Sequence, residues 1–143
     1  MPDAARLHNN LGLTYEKLGL PSEATVFYNL ALLNVRALGD RPWEAVLLTK
    51  IADLLLAANQ QAQAASVFNE LLPIQQEIND RTGEAATWAA VAKLLAQMDN
   101  QPEAIKSLQM AIDILRDSDL PHDAAGDTLA DYELFLHQLQ GDE

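Results

Sequence analysis

The stretch "ALGDRPWEA", Ala37–Ala45, is matched forty residues later by "EINDRTGEA", Glu77–Ala85. Both stretches place Asp before Arg and then, after two spacers, Glu before Ala. Asp favours the position just before a helix, and Glu favours the first turn, where it meets the positive end of the helix dipole. The pattern therefore predicts two helix starts, capped by Asp40 and Asp80.

The same forty-residue period organises the rest of the chain. Large apolar residues stay large and small residues mostly stay small in columns such as Leu11, Ile51, Val91; Tyr15, Leu55, Leu95; Gly12, Ala52, Ala92; Ala24, Ala64, Ala104; Tyr28, Phe68, Leu108; and Ala31, Leu71, Ala111. A side chain longer than a methyl would push two crossing helices apart, so the small columns predict tight antiparallel packing. A period of this length indicates stacked helix pairs.

Each repeat predicts two helices separated by short breaks. Residues Leu11, Tyr15 and Leu18 share one helical face, and "GLPS" at 19–22 ends it. Pro73 lies inside an apolar stripe that continues past it, which predicts one kinked helix rather than two helices. Asn100 and Glu103 have the spacing of a capping box. No segment alternates with period two, so no strand is predicted.

The fold class predicted is all-α, a right-handed α-solenoid of antiparallel helix pairs with a C-terminal capping helix. One domain spans 1–143, with units at about 5–40, 45–80 and 85–120 and the capping helix at about 123–139. Asp123 is the predicted N-cap of that helix. Its predicted buried stripe is Leu129, Tyr132, Leu136 and Leu139.

The composition excludes several classes of binding partner. The net charge of -12 repels nucleic acid and anionic lipid, so neither is an expected partner. Acids concentrate from Asp113 to Glu143, as a solvated face or as a docking surface for a basic partner. There is no cysteine, no apolar run long enough for membrane insertion and no secretory signal, and the expected location is cytoplasmic.

No motif points to chemistry. The histidines His8, His122 and His137 are scattered, and Asp117–Thr128 lacks the glycine and closing glutamate of a calcium loop. No nucleophile–base set or phosphate-binding loop is present. We expect no catalytic residue, no metal and no cofactor, and we expect that the protein is not an enzyme.

The aligned columns resemble the tetratricopeptide repeat family. "NNLGLTYEKLG", Asn9–Gly19, carries its Leu-Gly and Tyr positions, and Ala24, Tyr28 and Ala31 follow at its spacing. Trp88 supplies the family's Trp in the third unit. The usual period is about 34 residues, and the longer period here is similar to that of kinesin light chain, Pins-type adaptors and bacterial signalling proteins. The resemblance implies a protein-binding scaffold module.

In that family the first helix of each repeat lines a concave groove that binds a peptide or helix of another protein. Carried over by position, the expected groove residues are Arg6, Asn9, Leu13, Glu16, Lys17, Val46, Thr49, Lys50, Asp53, Leu56, Ala86, Ala89, Ala90, Lys93 and Gln97. Members that hold a partner's terminal carboxylate use Lys, Asn and Arg in this groove. Here Asn9 and Leu13 occupy the first-unit pair, Lys50 replaces the second-unit Asn, and Ala86 and Ala90 replace the third-unit cations, so that clamp is not expected.

The alternative is a homodimer. The first helix has no preceding repeat in this sequence to cover its outer face. A second copy could cover it, with His8, Leu11 and Tyr15 as the contact residues.

Overall fold

A computed structural model describes residues 2–141, and these form seven α-helices and no strand. The helices are α1 (Asp3–Lys17), α2 (Pro21–Ala37), α3 (Arg41–Ala57), α4 (Gln61–Glu77), α5 (Arg81–Gln97), α6 (Gln101–Asp117) and α7 (Leu129–Leu139). Two compact units divide between Ile74 and Gln75. Within residues 2–141, no helix is both long and apolar enough to cross a membrane.

The helix ends recur every twenty residues. A residue with positive φ follows each of the first six helices: Gly19, Gly39, Asn59, Asn79, Asp99 and Asp119. After α1, the Leu20 N–H donates to the Tyr15 carbonyl at 2.9 Å, and the Gly19 N–H donates to the Glu16 carbonyl at 3.0 Å. The same two bonds form at the other five ends. This left-handed turn satisfies carbonyls that a helix end would otherwise leave unpaired.

The helix starts that the repeated stretch predicts are confirmed. The Asp40 carboxylate accepts from the Trp43 N–H at 3.3 Å, and the Asp80 carboxylate accepts from the Gly83 N–H at 3.0 Å. The capping box predicted at Asn100 is wrong, because its side chain makes no capping hydrogen bond. Pro102 stands in the first turn of α6 and has no N–H to donate.

The repeated Arg and Glu have a role that dipole arguments do not predict. Glu44 is buried, and it accepts from Arg41 and Arg36, each at 3.0 Å. Its counterpart Glu84 is also buried, and Arg81 donates to it at 2.7 Å. Burying a carboxylate is costly unless it is paired and hydrogen-bonded. The Arg at each helix start therefore makes the buried Glu tolerable.

The unit formed by residues up to Ile74 packs α1 against α2 and α2 against α3. Its small columns are buried, with Gly12, Ala24, Ala52 and Ala64 all closed to solvent. A Cβ on Gly12 would lie 2.5 Å from Cε1 of the buried Tyr28. The prediction of close helix packing is therefore confirmed most directly at Gly12.

The unit that begins at Gln75 packs α5 against α6 and α6 against α7. Ala92, Ala104 and Ala111 are fully buried between larger residues such as Leu108 and Tyr132. The predicted stripe of α7 is confirmed, since Tyr132 and Leu139 are buried and Leu129 and Leu136 pack against the same core.

The start of α7 differs from its prediction. The helix begins at Leu129 and not near residue 123, and Thr128 is its N-cap in a capping box with Asp131. Asp123 is buried in the preceding loop, where its carboxylate accepts from the Ala125 and Asp127 N–H groups at 2.8 and 2.9 Å. The Tyr132 hydroxyl also donates to it. Asp123 therefore orders the loop from within instead of capping the helix.

The proline in α4 behaves as predicted in one respect. The helix continues from Gln61 to Glu77 through Pro73, so it is one helix. Pro73 is exposed, which leaves the apolar stripe of Phe68, Leu71 and Ile74 buried on the other side.

Gly12→Ala tests the close approach of α1 and α2. Alanine is the better helix former by about 1 kcal/mol, but its methyl would collide with the ring of Tyr28. We expect a net loss of roughly 1–3 kcal/mol in the free energy of unfolding, measured by urea denaturation. Unchanged or higher stability would mean that the ring of Tyr28 can move aside.

Candidate protein-binding face

The predicted groove residues differ in how much surface they offer. Eight are exposed: Arg6, Glu16, Lys17, Val46, Thr49, Asp53, Lys93 and Gln97. Five are half-buried: Leu13, Lys50, Leu56, Ala86 and Ala90. Two are buried: Asn9 and Ala89. Asn9 and Ala89 therefore line the interior more than a binding surface, and the accessible candidates within residues 2–74 lie on α1 and α3.

Tyr28 of α2 links the candidate residues of α1 and α3. Its ring packs against Gly12 of α1, and Lys50 of α3 holds its Nζ 5.2 Å from the centre of the same ring. A lysine over an aromatic face gains a cation–π attraction. Lys50 is thereby held at the ring, and it makes no ion pair with a carboxylate in the described chain.

Two carboxylates on α1 and α3, Glu16 and Asp53, influence each other electrostatically. Burial raises the pKa of Asp53, and the negative charge of Glu16 raises it further. Neither Glu16 nor Asp53 makes an ion pair among residues 2–141. The two negative charges therefore repel each other.

Two buried oxygens, one on α1 and one on α2, lack well-formed hydrogen bonds. The Tyr28 hydroxyl has no well-formed hydrogen bond, although burial and then the neighbouring Glu16 raise its pKa above the usual range. The Asn9 side chain, two turns before Glu16 on α1, has an unpartnered Oδ1 and is only 7% exposed. Buried polar atoms in folded proteins normally find partners, so both atoms are exceptions.

The third group of predicted residues lies on α5. Lys93 approaches Asp127 of the loop before α7, with 3.8 Å from Nζ to Oδ2. Ala86 and Ala90 are half-buried, whereas Ala89 is part of the core. The three alanines therefore serve partly to pack α5 against its neighbours. The α5 helix also presents fewer unpaired charges than α1 and α3.

The residues predicted for self-association contact their own chain. The rings of His8 and Tyr15 stack on Phe27 of α2 at centroid distances of 6.4 and 5.2 Å. The His8 Nδ1 also lies 3.0 Å from the Asn34 amide nitrogen, and Leu11 is half-buried. His8 and Tyr15 therefore face α2, and all three half-buried side chains leave limited area for a second copy.

A more exposed apolar surface lies on α2 itself. Val26, Leu30 and Leu33 are 57%, 37% and 63% exposed, and they recur at helical spacing on one side. The matching positions of α4 and α6 hold Ser66, Glu70, Pro73, Lys106, Met110 and Asp113. The sequence already contains this difference between the repeats. The columns of conserved size do not show it, because they include only the positions that the repeats share.

Comparison with known proteins identifies the repeats. A family profile described as tetratricopeptide repeat matches residues 3–77, which is more than half of the chain. The chain belongs to the tetratricopeptide repeat family. A search of curated protein sequences gives no match.

Solved structures carry the same tetratricopeptide-like fold. The apo form of RapI superposes with a TM-score of 0.81 at 15% identity, covering 99% of this chain and 50% of RapI. BtubC of P. vanneervenii gives 0.77 at 17%, covering 96% and 57%. A Podosopora anserina protein of the kinesin light chain type, with nearly identical TPR-like repeats, gives 0.71 at 16%, covering 99% and 70%. The chain thus spans about half the length of RapI, and the predicted all-α tetratricopeptide fold is confirmed.

Asp53→Asn tests the electrostatic strain on the face. A carboxyl whose pKa is raised by folding destabilises the folded state when it is charged, so stability falls as pH rises through that pKa. We expect the variant to have a higher urea midpoint than the parent near pH 7 and an equal one at about pH 3, where both side chains are neutral. A lower midpoint at neutral pH would mean that Asp53 has a stabilising partner.

Tyr28→Phe and Tyr132→Phe form a matched pair. The first removes a buried hydroxyl without a partner, so we expect unchanged stability or a gain of up to about 1 kcal/mol. The second leaves the buried Asp123 without its phenolic donor, and we expect a loss of roughly 1–3 kcal/mol. Equal losses in chemical denaturation would contradict the difference between the two sites.

Proposed function

We propose that this chain is a non-catalytic interaction module that binds a peptide or helix of another protein through its α1/α3 face, as part of a scaffold or signalling protein. The α1/α3 face consists of the accessible candidates Arg6, Leu13, Glu16, Lys17, Val46, Thr49, Lys50, Asp53 and Leu56. Membership of the tetratricopeptide repeat family supports protein binding as the general role.

The distribution of unpaired charge is the observation that carries this proposal. Within residues 2–74, five charged side chains have neither an ion pair nor a well-formed hydrogen bond: Glu16, Lys17, Glu23, Lys50 and Asp53. All but Glu23 belong to the α1/α3 face. The other charges of this unit are matched, for example Arg36 with Glu44 and Glu70. Unmatched charge of both signs suits a surface whose counterparts come from another molecule.

Apolar side chains lie among these charges. Val46 is 41% exposed, and Leu13 and Leu56 are half-buried on the same pair of helices. Contact with such residues would supply most of the affinity, and the surrounding charges would set register and orientation. A partner segment with apolar anchors and charges of both signs fits this face.

Self-association is the second candidate. The exposed stripe of Val26, Leu30 and Leu33 favours α2 as its surface over the residues around His8. Between Glu23 and Arg36 the helix has no charged residue, so two copies of a chain with net charge -12 could approach there with the least repulsion.

The test uses peptides selected from a random display library against the parent protein. Val46→Asp combined with Asp53→Lys reverses the character of the α1/α3 face, and Val26→Asp combined with Glu23→Lys makes the same chemical changes on α2. We expect the first variant to bind selected peptides at least about tenfold more weakly, and the second to bind them as the parent does, in fluorescence anisotropy.

Helix content and urea midpoints of both variants serve as folding controls. Equal loss of peptide binding in the two variants would place the site outside the α1/α3 face. Light scattering on the same proteins addresses the second candidate. A parent dimer that becomes a monomer only with Val26→Asp would assign α2 to self-association, whereas a parent monomer would remove that candidate.

A further inference from the structure

The exposed side of α2 carries an apolar stripe with the spacing of a contact between two helices. Its members stand four, three and four residues apart, the alternation that keeps side chains on one line where two helices pair. All four are exposed, with Val26 at 57%, Leu30 at 37% and Leu33 at 63%, followed by Ala37. The opposite side of the helix is buried within the chain and includes Tyr28. The stripe is therefore free for a contact with another molecule.

The repeat packing does not require this stripe. Helices α2, α4 and α6 are the second helices of their repeats, and each buries the same small column at Ala24, Ala64 and Ala104. At the columns of the stripe, however, α4 and α6 carry charged residues, namely Glu70, Glu77, Lys106, Asp113 and Asp117. Since helices with charges at these columns still pack in their repeats, the apolar residues of α2 need another explanation.

Charge favours a second copy of this chain as the occupant of the stripe. Two copies repel each other through a net charge of -12, and the repulsion is least where neither surface is charged. No residue from Ala24 to Val35 carries a charge. The same contact through α4 or α6 would take charged side chains out of water, which is costly. A basic partner would instead be attracted to the acidic residues between Asp113 and Glu143.

The charges and dipoles at the ends of α2 favour an antiparallel pair. Glu23 is exposed in the first turn, and among residues 2–141 it makes no ion pair. Parallel helices would place the two Glu23 carboxylates next to each other. Antiparallel helices separate them, bring each toward the end of α2 that carries Arg36, and set opposite ends of the two helix dipoles together.

We propose that α2 pairs with the α2 of a second copy in antiparallel orientation, with Leu30 and Leu33 at the centre of the contact. The inference rests on the second candidate function and specifies its orientation. The stripe from Val26 to Ala37 is about 17 Å long. Standard interfaces bury about 1,200–2,000 Å² over both partners, and a stripe this short falls below that range, so we expect a weak dimer that dissociates on dilution.

Sedimentation equilibrium of the full chain measures the association. Leu30→Asp places a charge at the centre of the stripe, and Met110→Asp places the same charge at the matching column of α6, where Met110 is 44% exposed. We expect the first variant to raise the dissociation constant of the dimer at least about tenfold and the second to change it by less than about twofold. A parent that stays monomeric at the highest concentration, or equal weakening in both variants, would overturn the α2 pair. Circular dichroism checks that both variants keep the helix content of the parent.

Distances between spin labels determine the orientation. The chain has no cysteine, so Ser22→Cys and Asn29→Cys each carry a single nitroxide. Both positions are exposed beside the stripe, and their spacing of seven residues places them on nearly the same side of α2. In an antiparallel pair, the separation along the helix axis should be about 21 Å greater for the Ser22 labels than for the Asn29 labels. A parallel pair should give nearly equal distances in pulsed electron paramagnetic resonance.

The outcomes for the orientation, for self-association and for the α1/α3 face are separable. Nearly equal label distances in a protein that dimerises would overturn the antiparallel orientation and leave self-association through α2 in place. Selected peptides should bind Leu30→Asp as they bind the parent, because Leu30 lies outside the α1/α3 face. A dimer with the longer Ser22 distance, in a chain for which no peptide is selected, would support the α2 pair and count against that face.

Discussion

The contact between Gly12 and Tyr28 is the constraint on which the candidate face depends. The glycine removes the one atom that would keep the phenol ring away from α1, and the ring then lies fully buried against that helix. Because the ring is fixed there, the Tyr28 hydroxyl lies near Glu16, one turn after Gly12 on α1. The Lys50 Nζ of α3 lies over the same ring. A packing requirement at one residue thereby arranges side chains from three helices.

The repeated Asp-Arg-x-x-Glu-Ala stretch both starts a helix and makes a buried glutamate tolerable. Asp40 and Asp80 cap their helices, and the following Arg neutralises a Glu that the packing has buried. The second of the two stretches also contains Gly83, and a Cβ at that position would clash with the Asp80 carboxylate. Cap, ion pair and small residue occur together because each occupies the same crowded helix start.

Periodicity allowed most of the fold to be predicted from the sequence. Helix pairs, small columns and two of the four predicted caps depend on spacing and residue size, which the sequence shows directly. The failures at Asn100 and Asp123 have a shared cause. Both residues have the right side chain for a cap, but the backbone path decides whether that side chain reaches an N–H in the first turn of a helix. Near Asp123, a turn at Gly126 delays the helix until Thr128.

The candidate face was less predictable for a related reason. Positions on the first helix show which residues belong to a face, and α1 and α3 carry the expected set. Burial within that set depends on the neighbouring helix, so Asn9 and Ala89 could not be told from Lys17 or Lys93 by position. The partnerless hydroxyl of Tyr28 is also invisible in a residue pattern that treats this column simply as large and apolar.

The left-handed turns also bear on how such a chain can change its length. A duplication or deletion with breakpoints at Gly39 and Asn79 adds or removes forty residues, and every remaining turn keeps its two hydrogen bonds. A breakpoint that shifts the register by one residue rotates all later side chains of that helix by about 100° and carries the small columns away from their crossings. A duplication or deletion therefore preserves the packing only when it adds or removes whole repeats.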